Sequence, residues 1–213
     1  MNRILTSQTP DHKGETVKIA GWVHTRRDHG KITFLDIRDR EGIVQIVCIP
    51  QAKETYEIAQ QVRPEWVVGI EGKVQERPEG TKNNDIATGE IEIVAQKITV
   101  FSQAKTLPFA IDTDGYEIGE EKRLQYRYLD LRRSRLLKNL SARHRVLQFM
   151  RDFLTKEGFI EVETPILTKS TPEGARDFVV PSRLYPGTFY ALPQSPQQYK
   201  QLLQVAGLER YFQ

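Results

Sequence analysis

Two groups of residues in this chain have the types and spacing of chemistry. The first lies in TPEGARD (residues 171–177) and PQSPQQYK (193–200). The first stretch is too polar and too rich in turn formers to be core, and the second reads as a strand-to-helix turn. Glu173, beside Gly174, can hold an ammonium group. Lys200 follows Gln197 by one helical turn, so both side chains can point the same way. An acid and a cation around one polar pocket suit a zwitterionic or acidic small ligand. The same residues also fit a surface loop and a helix start capped by Ser195.

The second group lies in HTRRDHGKITFLDIRDREGIVQIV (24–47). Arg26 and Arg27 come just before a turn. Phe34 has opposite parity to Leu35 and Ile37. If those two face a core, Phe34 faces out, close to the arginines. An exposed aromatic beside two cations can stack a base while guanidinium groups hold phosphate. Gln45, on the next strand, can read a base edge. A solvated charged turn with a half-buried Phe fits the same pattern.

The elements that must position these groups are legible. Residues 15–101 alternate like strands: Val17, Ile19 and Val23; Leu35 and Ile37; Val44, Ile46 and Cys48; Trp66, Val68, Ile70 and Val74; Ile91, Ile93 and Ala95. Turn chemistry falls at 28–30, 40–42 and 77–80. Residues 52–62 lack alternation and predict a short helix. Five short strands with a helix between the third and fourth fit an OB-type barrel; a generic five-stranded sheet has the same pattern. Residues 102–119 predict a linker, and the charged run EEKRLQYRYLDLRRSR (120–135) a solvated helix face or a phosphate contact. Leu136, Leu140, Leu147, Met150 and Leu154 trace one helix face, with Gly158 as its C-terminal cap. Residues 159–163 then alternate as a strand. The domain reading is therefore 1–103, a linker or hinge over 104–135, and 136–213.

Composition bounds the rest. With 213 residues, 38% hydrophobic and 28% charged, the chain predicts a soluble globular protein of one large or two small domains. No apolar run is long enough to span a bilayer, and the N-terminus lacks a signal-peptide core. One cysteine, Cys48, excludes internal disulfides, and the four histidines lack metal-ligand spacing. No metal site is predicted, and a cytoplasmic location is the default. The net charge of +3 permits nucleic-acid binding without demanding it.

The motifs, in order, resemble the N-terminal part of the bacterial-type aspartyl-tRNA synthetase family, class II enzymes of the aspartyl, asparaginyl and lysyl subgroup. GWVHTRRDHGKITFLDIRDREGIVQIV resembles the anticodon-binding barrel, and KRLQYRYLDLRR the hinge. GFIEVETPILTKSTPEGARDF, with the helix before it, resembles motif 1 and a mobile loop. FYALPQSPQQYKQLL resembles the aspartate-binding segment, and GLERYFQ the opening of motif 2. The fold implied is an all-β OB barrel followed by the start of an α+β catalytic domain with an antiparallel sheet. The activity implied is aspartate–tRNA ligation: aspartate and ATP give an aspartyl-adenylate, then aspartyl-tRNA. By resemblance, Glu173, Ser195 and Gln197 contact the α-ammonium side of aspartate, and Lys200 its side-chain carboxylate. Arg27, Phe34 and Gln45 contact the anticodon, and Arg26 supports the phosphates. Thr25 stands where relatives commonly have an arginine. His29 and Gly80 match residues that mark members which also charge tRNA(Asn); an ordinary turn uses the same residues.

The resemblance further implies partners and omissions. The partners are tRNA(Asp), with tRNA(Asn) if specificity is relaxed, L-aspartate, and a second copy in a homodimer built through motif 1. ATP and Mg²⁺ serve the complete enzyme, but no catalytic residue is expected within these 213 residues. The motif 2 and motif 3 arginines and the Mg²⁺ carboxylates belong to later parts of the family. The chain alone is expected to show no ATP–pyrophosphate exchange. A stand-alone RNA-binding barrel without catalysis is the competing reading.

Overall fold

A computed structural model describes residues 2–171 and 175–213. The chain divides into two compact units, Met1–Asp130 and Leu131–Gln213.

The first unit is a closed barrel. After a 3-10 turn over Thr6–His12 come β1 (Thr16–His29), β2 (Ile32–Arg38), β3 (Ile43–Cys48), α1 (Lys53–Gln61), β4 (Val67–Glu76) and β5 (Ile91–Ser102). The strand order around the barrel is β1-β2-β3-β5-β4, with β3 and β5 parallel and the other neighbours antiparallel. The alternating residues other than Trp66 form the core: Val17, Ile19, Val23, Leu35, Ile37, Val44, Ile46, Cys48, Val68, Ile70, Val74, Ile91, Ile93 and Ala95 are all buried, while Trp66 precedes β4 and is only partly buried against them. Two-fold alternation on a curved sheet leaves one side chain in two for the outer face. Three strands are longer than the short strands expected: β1 has 14 residues, β4 has 10 and β5 has 12.

Strand β1 departs from simple alternation at one point. Val23 pairs with Ile37, but Thr25, not His24, pairs with Asp36. His24 is the extra residue of a β-bulge, and the parity of everything after it reverses. Buried groups hold the bulge. Val23 donates its N–H to Trp66 O and accepts from Glu65 N at 2.7 Å. Glu65 sits at φ +68°, which is rare for a residue with a side chain. Its carboxylate accepts two hydrogen bonds from Arg38 Nη2, at 2.8 and 3.0 Å, and Arg38 Nη1 lies 3.0 Å from His24 Nδ1.

The segment predicted as a linker carries structure of its own. Phe109, Ile111 and Leu129 are buried together, with Leu107, Ile118 and Tyr126 packed against them. Two short helices, α2 (Glu120–Gln125) and α3 (Arg127–Asp130), end the unit. The charge run predicts Asp130 on a solvated face; instead it is fully buried and ion-paired to Arg127 at 2.6 Å and Arg123 at 3.8 Å. A buried carboxylate is tolerated because it is paired.

The second unit starts with α4 (Ser134–Lys156). Gly158 at φ +80° closes it, with Gly158 N–H on Thr155 O and Phe159 N–H on Leu154 O. Leu140, Leu147, Phe149, Met150 and Phe153 are between 40% and 69% exposed, so the helix presents an uncovered apolar face. Then follow β6 (Ile160–Glu161), β7 (Phe178–Pro181), β8 (Phe189–Leu192), α5 (Gln197–Val205) and β9 (Tyr211–Phe212). β7 and β8 pair antiparallel, but β6 and β9 pair parallel. The strands of this unit are therefore mixed, not purely antiparallel as expected.

Candidate nucleic-acid interface and small-ligand segment

The bulge decides which side chains meet on the barrel's outer face. Past it, Arg27 stands opposite Phe34, and Thr25 opposite Asp36. Asp36 stands opposite Gln45 on β3. A cleft of about 530 Å³ opens there, lined by Arg27, His29, Phe34, Gln45, Arg77 and Glu92 among others. Phe34 is half-buried and lines the cleft.

A hydrogen-bond chain runs under the cleft through all five strands, in barrel order. Thr25 Oγ1 on β1 donates to Asp36 Oδ2 on β2 at 2.6 Å. Arg27 Nη2 donates to both Asp36 oxygens, at 3.0 and 3.1 Å, and to Gln45 Oε1 on β3 at 3.3 Å. Gln45 Nε2 donates to Glu92 Oε2 on β5 at 3.1 Å. Gln75 Nε2 on β4 donates to the other Glu92 oxygen at 2.9 Å. The Gln45 carboxamide is thereby oriented: its oxygen faces Arg27 and its nitrogen faces Glu92. Gln45 and Glu92 are 8% and 5% exposed, so the polar floor is fixed before any ligand arrives.

Arg77 shares the cleft. Its Nε donates to Ile91 O at 3.0 Å. Burial pulls its guanidinium below the ordinary arginine value, and Glu92 and Asp36 oppose that pull. It stays charged nonetheless. The cleft therefore combines an aromatic face, two guanidinium groups, a carboxamide and a carboxylate acceptor.

Four sequence-predicted residues, Arg27, Phe34, Gln45 and His29, line this cleft together. Gly80 does not line it, though Pro78 and Thr81 beside it do. At φ +82° Gly80 has the conformation of an ordinary glycine turn. Arg26 is on the other side of β1, opposite Leu35; it donates to Gln60 O at the end of α1 and pairs with Asp28 at 2.7 Å. The Arg26 and Thr33 hydrogen bonds hold the Asp28 carboxyl below its usual range. Sequence reasoning missed Asp36, Arg77 and Glu92. Glu92 is visible as an acid on an outward position between Ile91 and Ile93, but nothing local ties it to Gln45.

In the second unit, Ser195 and Gln197 meet at the start of α5, where Gln197 N–H donates to Ser195 Oγ at 3.2 Å. Lys200 follows one turn on, half-buried, and its carbonyl accepts from Tyr211 Oη at 3.2 Å. Asp177 ties the neighbouring segments: it accepts from Ser170 Oγ at 2.9 Å and from Gln194 N–H at 3.2 Å. Glu173 lies outside the described residues. Among the described residues no group of three His, Cys, Asp or Glu side chains converges on a cation site.

A closed five-stranded barrel with a helix between its third and fourth strands defines an OB-type domain, and a long helix with two two-stranded sheets makes up the second unit. Residues 17–101 match the family of OB-fold nucleic acid binding domains, and residues 119–213 match the class II tRNA synthetases (D, K and N). The two matched stretches together take up most of the chain. It is 57% identical over 94% of its length to the aspartate–tRNA(Asp/Asn) ligase of Aquifex aeolicus and 59% identical over 94% to that of a Geobacillus species. It spans about a third of each, 33% and 34%. Among solved structures, it is similar to a putative aspartyl-tRNA synthetase from Leishmania major (TM-score 0.85, 27% identity, 99% of this chain and 42% of that one). It is also similar to asparaginyl-tRNA synthetase from Pyrococcus horikoshii complexed with asparaginyl-adenylate (TM-score 0.83, 29% identity, 99% and 46%).

Proposed function

We propose that these residues supply the anticodon-reading part, and half of the aspartate-binding part, of an aspartate–tRNA ligase. The observation that carries the reading is the hydrogen-bond chain from Thr25 to Gln75, which fixes a polar floor in the cleft that the half-buried Phe34 ring also lines. A base stacked on Phe34 presents its edge to Gln45 and Glu92. The Glu92 carboxylate accepts only, so it favours an edge that offers N–H groups. Arg27 and Arg77 balance the phosphates and the Glu92 charge.

In the second unit, Lys200 supplies the cation for the aspartate side chain, close to the α5 N-terminus, which also favours an anion. Ser195, Gln197 and Glu173 surround the α-ammonium group. A cation aimed at the substrate side chain suits aspartate and repels lysine. ATP is the co-substrate, and Mg²⁺ belongs with its phosphates in the complete enzyme. No described residue cluster here fits that metal, so no step is assigned to it in this chain. His29 in the cleft lining and Gly80 near it support charging of tRNA(Asn) as well as tRNA(Asp). A cytoplasmic homodimer, with the apolar face of α4 covered by a second copy, completes the proposal.

The test is aminoacylation by the complete protein with purified tRNA(Asp) and tRNA(Asn) transcripts. Aspartate is expected on both. No aspartate on either would overturn the function, and none on tRNA(Asn) alone would overturn the relaxed specificity.

A further inference from the structure

The barrel unit carries a second polar groove, of about 860 Å³, at the end of α1. Its lining holds three cations (Arg26, Arg63, Lys105), three carboxamides (Gln60, Gln61, Gln103) and no carboxylate among the described residues. Arg26 is partly compensated by Asp28 at 2.7 Å. Arg63 and Lys105 make no ion pair among the described residues. Trp66 fixes one wall, its Nε1 donating to Ala104 O at 3.2 Å. The other wall is tied where Arg26 donates to Gln60 O. The groove is thus built from the end of a helix, the bulged strand and the residues after β5, not from loose surface lysines.

Its chemistry points to one class of ligand. Two of the three cations, Arg63 and Lys105, have no carboxylate partner among the described residues and so favour phosphate, and the carboxamides offer both donors and acceptors for a ribose 2′-hydroxyl. A groove of this volume is too large for one phosphate and suits several in a row. Its position follows from β1: Arg26 and Arg27 are successive residues on opposite faces of the strand. A polymer whose bases enter the cleft at Arg27 runs on past Arg26.

We propose that this groove binds the sugar–phosphate backbone of the paired RNA stem adjoining the loop whose bases enter the Phe34 cleft. The inference rests on the base-cleft reading. Arg63 and Lys105 then add affinity without sequence preference, because phosphate contacts carry no base information.

The experiment uses the full chain and three RNAs: a stem-loop with the aspartate anticodon GUC in its loop, the same stem with those bases replaced, and a GUC trinucleotide without a stem. The double variant Arg63→Gln/Lys105→Gln changes two exposed side chains and is expected to fold as the parent does, checked by its melting temperature. Its slope of log affinity against log salt on the stem-loop is expected to fall by about 1 to 2, near one for each phosphate no longer neutralised. The ratio between the two stem-loops stays unchanged, and so does trinucleotide binding. An unchanged salt slope overturns the proposal, and so does equal weakening on the trinucleotide. Phe34→Ala, run in parallel, separates the two readings. If it leaves base discrimination intact, the cleft reading fails; if it abolishes discrimination while the double variant behaves as parent, only the groove fails.

Discussion

Arg27 stands directly opposite Phe34 across the first hairpin, and Arg26, one residue earlier, stands opposite Leu35. Without the bulge at His24, regular pairing from Val23 would place Arg26 opposite Phe34 and turn Arg27 away. The bulge thus decides which of two adjacent arginines joins the cleft. It also separates their duties: Arg27 orders Asp36 and Gln45, while Arg26 reaches the end of α1.

Removing the stacking face tests the cleft most directly. Phe34→Ala should weaken anticodon stem-loop binding by about 1–3 kcal/mol, the usual worth of a base–aromatic stack. The side chain is only half-buried, so the barrel should keep its melting temperature. Fluorescence anisotropy with labelled RNA reads the first, and a thermal melt the second.

The bulge has its own lock, and breaking it should cost stability. Arg38 is 12% exposed and Glu65 2%, so their ion pair is largely shielded from water. Arg38→Met leaves the Glu65 carboxylate without this partner, which costs about 3–5 kcal/mol. Urea unfolding followed by tryptophan fluorescence checks it. Loss of less than about 1 kcal/mol would show that the bulge holds without the pair.

His24 makes the same region sensitive to acid. Burial, and then the Arg38 charge, push its pKa below the ordinary 6.5; Asp112, Asp36 and Glu65 pull the other way. The unfolded chain therefore binds this proton more readily than the folded one. Stability is intact above about 6.5 and falls as pH drops below it, levelling off under the lowered folded value. Melting temperatures measured from pH 7 to 5 should show this slope in the parent and a smaller one in His24→Gln.

Cys48 is a probe of barrel opening. It is fully buried, and burial alone pushes its thiol pKa up to about 12. Thiolate, not thiol, reacts with alkylating agents. Iodoacetamide at pH 8 should leave the folded chain unlabelled and label it fully in denaturant, as mass spectrometry would read. Rapid labelling of the native chain would contradict the closed barrel.

In the complete enzyme, Lys200→Met should lower kcat/KM for aspartate about 10- to 100-fold, the loss expected for a charged hydrogen bond. The ATP dependence should stay as it was. Steady-state pyrophosphate exchange measures both, and an unaltered aspartate dependence would remove Lys200 from the pocket.

What the sequence determined by itself is the inside of the barrel. Inward residues such as Ile19, Leu35, Ile46, Ile70 and Ile93 betray themselves through two-fold alternation, a local property of a strand with one buried face. Helix α4 and its Gly158 cap are legible for the same reason, through a 3.6-residue period and a glycine at its end. That Phe34 lies on the face opposite to Leu35 and Ile37 follows from parity as well. What only the tertiary structure decided is which distant polar groups meet. Glu92 joins Gln45 because β5 pairs with β3 across a long separation in sequence, and no local pattern encodes that closure. The bulge at His24 is equally hidden, because it is held by Glu65 and Arg38 from other parts of the chain. The burial of Asp130 escapes sequence reading for the same physical reason: a charge looks exposed in sequence until its partners, Arg123 and Arg127, fold around it.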